Sequence, residues 1–134
     1  LNRGGVSEQF LKAFGVEKFK EPDEIGELED FSTFEIAGMQ ITSIFAPGHT
    51  KGSVIFTVDN LQLISGDVLF AGSIGRTDLP TGSASQMRKT LRDRILTLPD
   101  GLNVLPGHGG QTTIGLERVR NPYLQADFLD QDGR

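Results

Sequence analysis

One tripeptide, Pro-Gly-His, occurs twice, at 47–49 and at 106–108, and each copy closes an apolar run, Ile44-Phe45 in the first case and Val104-Leu105 in the second. Proline and glycine directly behind such a run end a strand and turn the chain tightly. Proline cannot donate to a ladder, and glycine reaches backbone angles closed to other residues. The repeat therefore predicts two strands ending in turns, each presenting an imidazole at a sheet edge, where loops commonly carry function. These are the only two histidines among 134 residues. A third strand end has the same setting: Leu63-Ile64-Ser65 reads as a buried strand, and Gly66-Asp67 follows it. A carboxylate there is costly unless paired or bound to a cation.

Around these ends the pattern is of hairpins, then helices. Phe34-Glu35-Ile36 and Ile41–Phe45 flank Ala37-Gly38, and Val54–Val58 and Leu61–Ser65 flank Asp59-Asn60, which is hairpin chemistry in both cases. Residues 2–5 read as a loop. Ser7 is placed to cap a short helix carrying Phe10 and Phe14, with Gly15 at its end. Residues 17–30, charged and containing Pro22 and Gly26, read as a surface connection in which Glu27, Glu29 and Asp30 are solvated. From Gly66 to Gly82 glycine replaces periodicity, the mark of a structured loop. Ser83 followed by Gln86 makes a capping box, and Met87, Leu91, Ile95 and Leu98 predict an amphipathic helix ending at Pro99-Asp100-Gly101. Leu102–Leu105 is a short strand, Thr113 caps a last helix running to Arg120, and residues 127–134 read as a loose polar tail. This order predicts an α/β (α+β) fold, a sheet layered with helices.

Composition excludes several functions. Without cysteine there is no disulfide framework and no thiolate metal site. A net charge of −5 argues against a nucleic-acid partner. No apolar run approaches the roughly 20 residues of a membrane span, and Leu1-Asn2-Arg3-Gly4-Gly5 does not begin a signal peptide. The expectation is a cytoplasmic protein with neither nucleic acid nor membrane as partner. Ser53 has no basic partner that would make it a nucleophile, and Gly107-His108-Gly109-Gly110 lacks the patterns of a phosphate loop. Imidazole with carboxylate suits zinc foremost, with iron and manganese as alternatives. On spacing alone, 18 residues from His49 to Asp67 and 41 from Asp67 to His108, a metal site and three ordinary turn residues both stay open.

Ala46-Pro47-Gly48-His49-Thr50-Lys51-Gly52-Ser53, Leu63-Ile64-Ser65-Gly66-Asp67-Val68-Leu69-Phe70 and Leu105-Pro106-Gly107-His108-Gly109 resemble the later metal motifs of the metallo-β-lactamase superfamily, in the order and spacing of its glyoxalase II-like branch. Residues 73–82 (Ser-Ile-Gly-Arg-Thr-Asp-Leu-Pro-Thr-Gly) resemble a segment of single-domain glyoxalase II-like hydrolases and of persulfide dioxygenases, and residues 115–124 fit the same branch. The resemblance implies the C-terminal half of an αββα sandwich, with a mixed, mostly antiparallel sheet and flanking helices. It implies His49 on a first metal, His108 on a second and Asp67 bridging both, with two zinc ions in the full-length family. A metal-held hydroxide would then attack a small acyl or thioester substrate, which makes Asp67 the catalytic carboxylate. Thr50, Lys51, Arg76 and Asp78 are the substrate-side candidates, although Arg76 with Asp78 reads better as an ion pair or hydrogen-bond network bracing its loop.

The family's H-x-H-x-D-H motif, which supplies most of the usual ligands, is absent from this sequence. Residues 1–134 are therefore expected to be a partial domain, inactive alone, whose inner apolar sheet face is uncovered. Such a face predicts self-association or docking to the missing N-terminal half. The opening Leu1, in place of methionine, fits a piece of something longer. Two other readings stand beside the hydrolase. One is a mononuclear-iron persulfide dioxygenase, with His49 and Asp67 as ligands and His108 outside the site. The other is a non-catalytic half or scaffold that needs a partner chain.

Overall fold

The computed structural model describes residues 29–133, together with the backbone of two short paired strands, β1 (Asn2–Arg3) and β2 (Val6–Ser7). That pair stands where a loop was expected at residues 2–5. The expected Phe10–Phe14 helix lies outside the described residues.

Two hairpins build most of the sheet: β3 (Ser32–Ile36) with β4 (Met39–Phe45), and β5 (Val54–Val58) with β6 (Gln62–Gly66). Each turn carries two consecutive residues with positive φ, Ala37 and Gly38 in the first, Asp59 and Asn60 in the second. This is the two-residue geometry whose twist matches that of the flanking strands. The second turn is also tied to the neighbouring hairpin, because Asp59 Oδ1 accepts from Gln40 N at 2.9 Å.

Between the sheet's halves lies the segment expected to be a structured loop. It contains a small hairpin, β7 (Leu69–Phe70) with β8 (Ser73–Ile74). Helix α1 (Ala84–Thr90) then starts on the expected cap, Ser83 Oγ accepting from Gln86 N. It does not continue as an α-helix to Leu98: Leu91–Ile95 form a π-helical turn, closed by Leu96 N donating to Leu91 O. Side chains four apart stay on one face, and Met87, Leu91 and Ile95 are all fully buried. Strands β9 (Asn103–Pro106) and β10 (Thr112–Thr113) follow, then α2 (Ile114–Arg120), capped by Thr113 Oγ1 on Leu116 N as expected.

The six-stranded sheet has the order β10-β9-β6-β5-β4-β3. Its pairs are antiparallel except β6 with β9, which run parallel. A parallel pair requires a crossover, and α1 with its π turn provides it. Alternate residues along each strand face opposite sides. Ile44, Ile55, Leu63 and Val104 join the helix-side core with Met87, Leu91, Ile95 and Ile114. On the other face Ile41, Phe56, Val58 and Leu105 are 0–4 % exposed, packed with five partly buried neighbours. These four residues form the buried centre of that face.

Two further expectations need correction. From Ala126 to Gly133 the chain is helical, α3 (Ala126–Leu129) followed by a 3-10 turn, where a loose tail was expected from residue 127. Leu129 anchors it in the core, and Phe128 packs edge-on against Tyr123. Asp30, expected to be solvated, is paired with Arg94 Nη1, which lies 2.7 Å from both carboxylate oxygens. Partial burial pushes the Asp30 carboxyl up, but hydrogen bonds from Arg94 and from Phe45 N, with the guanidinium charge, hold it below the usual carboxylate range.

Candidate metal centre

The parallel β6–β9 ladder decides where the chemistry gathers. Leu63 lies opposite Val104, Ile64 opposite Leu105 and Gly66 opposite Pro106, so both strands leave the sheet at one edge, with Gly107 N donating to Gly66 O at 2.8 Å. The next residues are Asp67 and His108. The turn after β4 comes to the same edge, held by Ala46 N on Ser53 O and by the Thr90 hydroxyl on Pro47 O. It delivers His49.

The three side chains meet around the carboxylate. His49 Nε2 is 3.6 Å from Asp67 Oδ2, and His108 Nδ1 is 3.6 Å from Asp67 Oδ1. These separations are long for direct hydrogen bonds. They suit two ligands sharing one ion, since metal–ligand bonds of about 2.0–2.2 Å at a tetrahedral angle set ligand atoms about 3.4 Å apart. Each imidazole faces a different oxygen, so the donor set fits two ions sharing Asp67. Among the described residues no group of three or more His, Asp or Glu side chains is disposed to hold a single ion. Each ion would need further ligands from elsewhere.

His49 is held rigidly. Its side chain is 17 % exposed, and Nδ1 donates to Arg76 O at 2.9 Å. That bond fixes the tautomer and leaves the Nε2 lone pair facing Asp67, the arrangement of a metal-binding histidine. The close approach depends on Gly75: a Cβ there would stand 1.8 Å from Asp67 O and 3.1 Å from His49 Nδ1. His108 is held differently. Its side chain is 76 % exposed, and its ring leans on Phe70, centroid to centroid 4.8 Å.

The side chains of three of the substrate-side candidates, Thr50, Arg76 and Asp78, are engaged with other partners. Arg76 Nε and Nη2 bond both oxygens of Asp78, at 2.7 and 3.0 Å, with both side chains exposed. The Asp78 carboxylate raises the Arg76 guanidinium above its usual value, and Arg76 holds Asp78 below its own. This is the geometry of a loop brace, and what Arg76 brings to the site is its backbone carbonyl. Thr50 Oγ1 is taken up by Ser53 Oγ at 2.8 Å, within the turn. Lys51 is exposed and borders a cleft of about 480 Å3 with Pro47, Gly48, Pro80, Thr81, Ser83 and Gln86, a lining that contains none of the trio.

Glu117 and Asn121 escaped the sequence reading. They are 3 % and 0 % exposed, and they hydrogen-bond each other at 2.9 Å. The available signal was spacing: Ile114, Glu117 and Asn121 share the buried stripe of α2, where a polar side chain needs a partner.

The chain is similar to several known proteins. The family model of the metallo-beta-lactamase superfamily matches residues 4–108. The hydroxyacylglutathione hydrolase GloC of Haemophilus influenzae is 38 % identical over 109 residues, covering 81 % of this chain and 48 % of its own length. The crystal structure of ETHE1 from Myxococcus xanthus superposes with a TM-score of 0.68 at 30 % identity, over 72 % of this chain and 44 % of that one. That of TTHA1623 in a di-iron-bound form gives 0.64 at 41 %, over 72 % and 47 %. The chain spans about half the length of the curated relatives it matches.

Proposed function

The chain belongs to the metallo-beta-lactamase superfamily, and from that membership we propose that the whole protein is a metal-dependent hydrolase of thioesters, of the hydroxyacylglutathione type. One observation carries the reading: the two oxygens of Asp67 face the chain's two imidazoles at equal distances, 3.6 Å each. A mononuclear site would leave His108 without a role, whereas this symmetry engages both histidines. The likeness to GloC supports the substrate class, and that to a di-iron protein supports a pair of ions, zinc or iron, with manganese also compatible with the donors.

In this reading His49 would hold one ion and His108 the other, with the charge of Asp67 shared between them. When bound, such ions lower the pKa of a water toward neutrality and polarise a carbonyl oxygen. This chain's own residues do the positioning. The Arg76 carbonyl fixes the His49 tautomer, the glycines around Asp67 let backbone come close, and exposed His108 leaves the site open to a small acyl substrate. Residues 1–134 alone turn over little or no thioester, because each ion lacks ligands. Self-association, or docking of an N-terminal half carrying H-x-H-x-D-H, is the partner proposed. Among the described residues no helix is long and apolar enough to cross a membrane.

The likeness to ETHE1 favours a second reading, an iron-dependent persulfide dioxygenase, with which the Ser73–Gly82 segment is equally compatible. The deciding experiment uses the full-length protein, metal-analysed, with a hydroxyacylglutathione thioester and separately with glutathione persulfide under oxygen monitoring. Loss of thioester with two metals per chain supports the hydrolase. Oxygen uptake with one iron and no thioester loss overturns it.

A further inference from the structure

The β7–β8 hairpin connects to both histidines. Phe70, in β7, supplies the ring against His108. Directly after β8, Gly75 abuts Asp67 O and Arg76 O receives His49 Nδ1–H. Two-residue strands have little stability of their own, so something else must set where this hairpin lies. That support comes from α2. Glu117 Oε1 accepts from Gly72 N at 2.8 Å, in the hairpin turn. Asn121 Nδ2 reaches Ser73 O at 3.1 Å and Phe70 O at 3.4 Å. Glu117 Oε2 in turn accepts the Thr112 hydroxyl at 2.6 Å, tying the group to β10 at the sheet edge.

The geometry points to Glu117 and Asn121 as positioning residues for both halves of the metal centre, acting through the β7–β8 hairpin on Phe70 and on the Arg76 carbonyl. A carboxylate so deeply buried, with three donors directed at it, is expensive unless its hydrogen bonds are all made. An apolar residue on the same helix stripe would pack without cost and would leave the hairpin unanchored. The function of Glu117 is therefore placement. The inference concerns the arrangement of the side chains and holds whichever ion binds; only its effect on affinity rests on the metal-centre reading above.

The test compares Glu117→Gln with Glu35→Gln, an exposed change that removes the same charge, in the full 134-residue chain. With two histidines in the sequence, imidazole nitrogen–proton spectra give one signal set per half-site. In the parent chain His49 is the Nδ1–H tautomer, and the His108 ring protons are displaced by the Phe70 ring. Glu117→Gln is expected to cut the His49 Nδ1–H fraction and the His108 displacement by at least half. Zn2+ affinity falls about 10-fold, and the amide signals of β3 to β5 stay in place. Glu35→Gln changes none of these. A folded Glu117→Gln chain with both histidine signatures unchanged overturns the inference, even if its stability drops. Should Glu117→Gln fail to fold, Thr112→Val removes one donor to the carboxylate and decides in its place. Movement of both histidine signals supports the inference, and unchanged signals overturn it. Should the 134-residue chain, which lacks part of each ion's ligand set, bind Zn2+ too weakly to compare, the imidazole spectra alone decide this inference, and the metal-centre reading stands or falls on the full-length protein.

Discussion

The two halves of the site are built by different means. His49 sits in a turn bonded on both sides to the sheet and to α1, mostly buried, with one ring nitrogen committed to a backbone carbonyl. His108 projects from a glycine-rich turn, three-quarters exposed, with an aromatic ring as its neighbour. Both lie the same distance from Asp67. Equal distance thus conceals unequal rigidity: one imidazole is held in place by the fold, and the other is free to adjust.

Asp67 is the element common to both halves, and Asp67→Asn is the change of largest expected effect. Metal binding in either half should weaken by more than the about 10–100-fold that changes in outer-shell partners cost, read by equilibrium dialysis. Retention of both ions would break the comparison at its centre. Next comes Gly75→Ala, which forces backbone apart on the His49 side and should cost about 1–3 kcal/mol by urea denaturation. Gly109→Ala, at positive φ but in open space, should cost only about 1 kcal/mol. A reversal would mean that the His108 side is the rigid one. His49→Ala should lose about 1 kcal/mol, the worth of its hydrogen bond, and His108→Ala less than about 0.5 kcal/mol. The smallest effect lies outside both halves, in the frame. Because the folded-state pKa of Asp30 lies below its unfolded value, the stability it contributes is full above about pH 4 and is lost as pH falls through the folded pKa. Asp30→Asn should therefore lower stability by under about 0.5 kcal/mol at pH 6 and by less in acid, with the metal-centre residues unmoved.

What could be read in advance follows the range of the interactions. The hairpins and the caps at Ser83 and Thr113 are local, set within four residues, and stand at the expected places. The juxtaposition of His49, Asp67 and His108 rests on which strands pair, and no spacing along the chain specifies that; family resemblance supplied it. The β7–β8 hairpin was hidden because its glycines erase alternation. The helical end from Ala126 was hidden because its polar residues outnumber Phe128 and Leu129, which anchor it. Glu117 was hidden because a glutamate in a helix ordinarily faces water.

The β6–β9 pairing has a consequence for how the site comes into being. His49 and Asp67 are brought together by antiparallel neighbours through short turns. Asp67 and His108 meet only when a loop of 41 residues has closed, at an entropic cost of about 3 kcal/mol. Strand β9 must therefore dock in register before the second half-site exists. A chain that has folded only as far as its hairpins can bring His49 beside Asp67, before the helices fix them there, and holds none of the second half.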